Sequence, residues 1–142
     1  ETVKRGQFVF WLYKLLGNDT TGYADPGFTD VSSTAYYANA VAWAKAKGIT
    51  GGTTATTFSP DADVTRAQAV TMLYKALGSE KATVTKQFSD VPVNKWYTDA
   101  VGWAYTKGVT AGTSDTTFSP DQVCTRAQAM TFIMTAVNSL QP

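Results

Sequence analysis

Apolar side chains at Tyr37, Ala40, Val41 and Ala44 follow the i, i+3, i+4, i+7 spacing of one helical face. The spacing predicts a helix ending before Gly48, which sits where a left-handed C-cap residue belongs. A matching stretch 60 residues later ends at Gly108. Each helix is followed by a run rich in Gly, Thr and Ser that closes on Pro60 or Pro120 and reads as a loop. Second helices are predicted from Thr65 and Thr125. Thr65-x-x-Gln68 and Thr125-x-x-Gln128 are capping boxes, in which hydroxyl and amide satisfy backbone donors at the helix start. Val70, Leu73 and Leu77 then form a buried stripe, and Gly78 is expected to end the helix. Phe58 and Phe118 are the large apolar residues of the loops, expected to pin them onto the helices.

The pattern recurs because the sequence does. Aligned without a gap, residues 28–78 and 88–138 share 26 of 51 positions. The common skeleton is F-x-D-V, then Y-x-x-A-V-x-W-A-x-x-K-G, then T-x-G-T-x-x-TTFSPD, then TRAQA-x-T. Residues 1–17 add the second half of a further copy, since "KRGQFVFWLYKLLG" lines up with "TRAQAVTMLYKALG". Residues 1–142 are thus read as one module holding two and a half repeats, with earlier sequence expected to be missing. A helix–loop–helix unit of this size cannot bury its own apolar faces, so neighbouring copies must pack together. The expected fold is all-α, with tandem helix–loop–helix repeats around a central bundle of the three helices starting near Lys4, Thr65 and Thr125. Repeat spacing alone does not distinguish such a ring from an open stack.

Composition narrows the chemistry. The chain has 12 basic and 11 acidic residues, spread without a basic run, which argues against a nucleic-acid partner. No apolar run approaches the roughly 20 residues of a membrane span. There is no histidine and a single cysteine, Cys124, at the position of Val64. Histidine-based nucleophilic machinery, an internal disulfide and a multi-thiolate metal site are therefore excluded. Cys124 is expected to behave as a small buried hydrophobe. "SPDADV" lacks enough oxygen ligands at useful spacing for calcium. Asp61 and Asp63, two residues apart in a loop, are a poor match for a pair of catalytic acids facing across a bond. No enzyme activity, cofactor or metal is expected.

The linked motifs F-x-D-V, W-A-x-x-K-G-I/V-T, TFSPD and TRAQ resemble the S-layer homology (SLH) domain over nearly the whole chain. That resemblance implies a pseudo-threefold body of three repeats, one incomplete here. It also implies an extracellular module that anchors a larger exported protein to the cell wall. Its partner would be a secondary cell-wall polysaccharide of a Gram-positive-type envelope, often pyruvylated, held in grooves where the motif arginine contacts sugar. The family's T-R-A-E is T-R-A-Q twice here and Lys4-Arg5-Gly6-Gln7 once. Gln keeps the capping role while one acid per site is lost. With Lys4 in place of Thr and Gly6 in the first turn, the first copy is expected to start its helix more weakly.

The candidate contacts follow. Arg66 and Arg126, with Arg5 in the partial copy, stand at the first helical position, where a cation opposes the helix dipole. A sugar carboxylate there would gain unpaired N–H donors and a bidentate guanidinium. The competing reading is intramolecular: Arg66 with Asp61, Asp63 or Asp30, and Arg126 with Asp121 or Asp90. Trp43 and Trp103, with Tyr36 and Trp96 seven residues earlier, offer sugar-stacking faces, although core packing is the preferred reading. Gly51, Gly52 and Gly112 would either admit a sugar to the backbone or supply positive φ. Asp30 and Asp90 read first as caps of the loop or helix start and second as ligand contacts. Competing functions are a protein-assembly module, which leaves room for an oligomer, and adhesin-like binding of other glycans.

Overall fold

The structure, a computed structural model, describes residues 1–17, 22–77 and 87–139. The described residues are helical, with isolated β-bridges and no strand. Five helices follow in order: α1 (Arg5–Leu12), α2 (Ala38–Ala46), α3 (Arg66–Ala76), α4 (Thr98–Thr106) and α5 (Arg126–Ser139). A π-helical turn, Tyr13–Gly17, extends α1. Gly78 lies outside the described residues.

The local signals work as their chemistry requires. Thr65 Oγ1 accepts from the Gln68 N–H at 3.1 Å, and the Thr65 N–H donates to Gln68 Oε1 at 3.0 Å. Thr125 and Gln128 repeat both bonds. Lys4 has no acceptor to offer, so α1 keeps only the reverse bond, from the Lys4 N–H to Gln7 Oε1 at 3.1 Å. Lys4 instead pairs with Asp63 at 2.9 Å.

At the other end of α2, Gly48 takes φ +75°. Its N–H donates to the Lys45 carbonyl, and the Ile49 N–H reaches back to Ala44 at 2.8 Å. This is a Schellman motif, completed by burial of Ile49. Gly108, at φ +76°, and Val109 reproduce it after α4.

The chain forms two compact units, Val3–Asp63 and Val64–Pro142, the second also holding Glu1–Thr2. These units are offset from the sequence repeats. In Val3–Asp63, α1 of the partial copy packs on α2 of the next copy. Val3, Phe8, Leu12, Val41 and Phe58 are fully or almost fully buried there. In Val64–Pro142, α3 packs on both α4 and α5, around Val70, Leu73, Val101, Phe118 and Ile133. A TRAQ-type helix therefore completes its core with the first helix and loop of the following repeat. The reason is visible in the aromatic contacts: Tyr13 tilts against Trp43 at 5.6 Å, and Tyr74 against Trp103 at 5.6 Å. Val70 and Leu73 are fully buried, as the stripe predicts, while Leu77 is half-buried. Cys124 is a free, fully buried thiol whose pKa burial pushes up to about 11, so it stays protonated at neutral pH.

Candidate functional site

Arg66 is the centre of an arrangement built from two consecutive repeats. Its Nε donates to the Phe118 carbonyl at 2.8 Å. Its guanidinium lies over the Phe118 ring, 4.7 Å from the centroid, with Phe132 at 5.2 Å. The residue is only 4% exposed. The loop it touches is held by Asp90, whose carboxylate accepts from the Phe118 and Ser119 N–H groups at 2.9 and 2.8 Å. These bonds hold Ser119 at φ +60°, a left-handed conformation that costs a non-glycine residue energy and needs outside support. Burial lowers the Arg66 pKa, with Cys124 and Asp90 acting in the opposite direction. The guanidinium remains charged at neutral pH.

Unit Val3–Asp63 contains the same arrangement. Arg5 Nε donates to the Phe58 carbonyl at 2.9 Å, and the guanidinium lies 4.6 Å from the Phe58 centroid. Asp30 accepts from Phe58 and Ser59 at 2.9 and 2.8 Å, with Ser59 at φ +60°. Burial pushes the Arg5 pKa down to about 10, against the pull of Asp30. For Asp30, burial favours the neutral acid. The N–H bonds from Phe58 and Ser59, together with its own N–H and Arg5, outweigh that and leave its pKa below 3.8.

The first N–H groups of α1 and α3 are paired rather than open to an anion. The Arg66 and Ala67 N–H groups donate to the Gln122 and Pro120 carbonyls at 2.9 and 3.0 Å. Those of Arg5 and Gly6 donate to Ala62 and Pro60. The unpaired donors that would have drawn a carboxylate to the helix N-terminus are thus already satisfied by the next loop. The intramolecular ion pairs expected for Arg66 do not form either. Among the described residues neither Arg5 nor Arg66 lies within salt-bridge distance of a carboxylate, and the acid that acts on Arg66 is Asp90 of the following repeat.

The other candidates separate by burial. Arg126 is exposed, and its N–H donates to the Glu1 carbonyl at 2.8 Å. Trp43 and Trp103 are 4% and 2% exposed, so their ring faces are covered by core packing. Gly52 and Gly112 have φ +91° and +93°. A Cβ on Gly52 would come 2.5 Å from the Thr57 carbonyl oxygen and 2.6 Å from Phe28, which gives the glycine a folding role. Gly51 faces open space.

Of the four recurring aromatics, the two seven residues earlier are open to solvent: Tyr36 is 58% exposed and Trp96 is 63% exposed. Each meets its neighbour edge-on at 5.0 Å, Tyr36 on Tyr37 and Trp96 on Tyr97. Tyr37 and Tyr97 are in turn raised in pKa by burial, then by Asp61 and Asp30 or by Asp121 and Asp90. The exposed aromatic, the acids and the buried arginine therefore share one electrostatic neighbourhood in each unit. Their signal in the sequence was the aromatic recurring at one repeat position.

Clefts of about 210 and 340 Å³ lie beside Phe28 and Phe88 and contain none of the candidate contacts. Among the described residues no helix is long and apolar enough to cross a membrane, and no group of three or more Cys, Asp or Glu could hold a metal.

The model of the S-layer homology domain matches residues 27–70 and 87–130. A cell surface protein of Thermoanaerobacter kivui is 38% identical over 115 residues, covering 78% of this chain and 15% of that protein. An endoglucanase of Bacillus sp. (strain KSM-635) is 32% identical over 87% of this chain and 13% of its own length. A surface-layer 125 kDa protein of Lysinibacillus sphaericus is 33% identical over 63% of this chain and 8% of its own. The chain spans a small part of each of these relatives.

Proposed function

Because this chain belongs to the S-layer homology family and is an extracellular, cell-surface anchoring module, we propose that it anchors by binding an acidic secondary cell-wall polysaccharide at two repeat-equivalent sites. One site is built on Arg5, Asp30 and Tyr36, the other on Arg66, Asp90 and Trp96. The observation that carries the reading is the recurrence, in both units, of a solvent-exposed aromatic packed edge-on against a tyrosine, in the same unit as a buried arginine. The aromatic face takes the apolar face of a sugar ring. The arginine charge, set among partly desolvated groups, attracts a sugar carboxylate such as a pyruvyl ketal more strongly than an exposed cation would. With the backbone donors occupied and the arginine covered, the carboxylate is drawn by the guanidinium charge and not by the helix terminus. Arg126 is exposed and is not part of either of these two sites. The module contributes binding only, and the larger protein carrying it would supply any other activity.

The test is co-sedimentation with purified wall polysaccharide, before and after mild acid removal of pyruvyl groups. Trp96→Ala and Tyr36→Ala change exposed residues and leave the fold intact. Each is expected to weaken binding by about 0.5–1.5 kcal/mol, or roughly 2- to 12-fold, and the double substitution more. Undiminished binding by the folded double variant would remove the aromatic platform from the site. Equal binding to both polymers would remove the carboxylate.

A further inference from the structure

Among the described residues, Thr71 Oγ1 is the buried side-chain polar atom that has no hydrogen-bond partner. The residue is 6% exposed and lies in the middle of α3. An unpaired buried hydroxyl costs stability, and valine would fill the same shape without that cost. Packing alone therefore gives no reason for threonine at this position.

The equivalent position of α1 is Phe10. Its ring meets Tyr36 edge-on at 5.1 Å, and Lys14 stands over it at 5.8 Å. The two units repeat this packing closely. Tyr13 meets Trp43, and Tyr74 meets Trp103, at the same 5.6 Å. Tyr36 and Trp96 each meet the next tyrosine at 5.0 Å. Trp96 is the counterpart of Tyr36, so the α3 position that faces it is Thr71. With a small side chain in place of phenylalanine, Trp96 lacks the second ring that braces Tyr36. Among the described residues its ring contact is with Tyr97, and it is 63% exposed. An exposed indole held along one edge is free to turn.

We propose, on the basis of the glycan reading of these sites, that Thr71 determines which sugar the Trp96 site accepts. As the indole turns onto the face of a sugar ring, the Thr71 hydroxyl pairs with a free hydroxyl at the edge of that ring. A sugar whose hydroxyl there is substituted leaves Thr71 unpaired in a desolvated place, which is a strong ground for rejection. The Tyr36 site has Phe10 at this position and offers no such hydrogen bond. The two sites therefore differ in selectivity, and the one in Val64–Pro142 is the stricter.

Tyr36→Ala silences the other site, and in that background co-sedimentation with purified wall polysaccharide is measured beside the thermal midpoint. Thr71→Val should raise the midpoint, because an unpaired hydroxyl is removed, and weaken binding roughly 2- to 12-fold. Thr71→Ser keeps the hydroxyl and should bind within about twofold of the background. Partial O-acetylation of the polymer should weaken binding more with threonine at this position than with valine. A structural threonine gives the opposite pattern, a lower midpoint for Thr71→Val with binding unchanged, and either of these results overturns the proposal. So does equal weakening by Thr71→Ser, or an equal loss on O-acetylation, since shape would then explain the effect. Trp96→Ala in the same background shows where a failure lies. Unchanged binding by Thr71→Val beside weaker binding by Trp96→Ala removes Thr71 and leaves the aromatic platform standing. Undiminished binding by both variants removes the platform and Thr71 together.

Discussion

Arg66 and Arg126 hold the same place in two copies of one motif, and their surroundings differ almost completely. Arg66 is buried over Phe118 with its Nε on a carbonyl, while Arg126 is exposed. The cation at a helix start costs about 0.3–1 kcal/mol against the dipole. A buried charge-assisted bond of about 1.5–3 kcal/mol offsets that for Arg66. Arg66→Ala is therefore expected to lose about that amount in urea denaturation, and Arg126→Ala to stay within ~0.5 kcal/mol of wild type. Equal losses would show that the neighbouring loop contributes nothing to the arginine's role. Asp30 gives a pH test. Its folded pKa is depressed below 3.8, so its contribution is present above that value and fades as pH falls through the folded pKa. Asp30→Asn should melt below wild type at neutral pH, with the gap narrowing in acid. A gap constant across the titration would mean that the carboxylate charge is not what holds the loop.

At the scale of the element, the helix ends carry the clearest prediction. Gly48 and Gly108 have positive φ and nothing near their missing Cβ positions, so alanine there meets only a conformational cost. Gly48→Ala and Gly108→Ala should each destabilise by about 1–2 kcal/mol, read as a shift in urea midpoint at unchanged slope. Gly52→Ala should cost more, because its Cβ would also press on the Thr57 and Thr54 carbonyls. Similar losses at all three positions would mean that the loop relaxes around the added methyl group.

At the scale of the whole molecule, compactness is organised across repeats rather than within them. The TRAQ-type helix of one copy needs the first helix and loop of the next, which makes the partial copy at the start of the chain half of a complete packing unit. It also ties Glu1–Thr2 to a helix more than a hundred residues away. Removing these two residues takes the acceptor from the Arg126 N–H and the bridge from Thr125. The shortened chain should lose about 0.5–1.5 kcal/mol, with faster amide exchange at Arg126. Unchanged exchange there would contradict the pairing.

The sequence by itself determined the helices, their caps, the buried stripes and the family, because each rests on local chemistry or on motifs at fixed spacing. Thr65 and Gln68 cap the same helix start, and Gly48 closes the turn directly before it. Even Asp30, reaching residues 28 and 29 positions away, acts within the repeat whose motifs were aligned. Only the tertiary structure decided which repeat each helix packs with, and hence that Arg66 is a buried partner of Phe118 while Arg126 is not. The three arginines have nearly the same neighbours in sequence. What separates them is whether a loop about fifty residues ahead arrives to cover the side chain, and no local pattern records that.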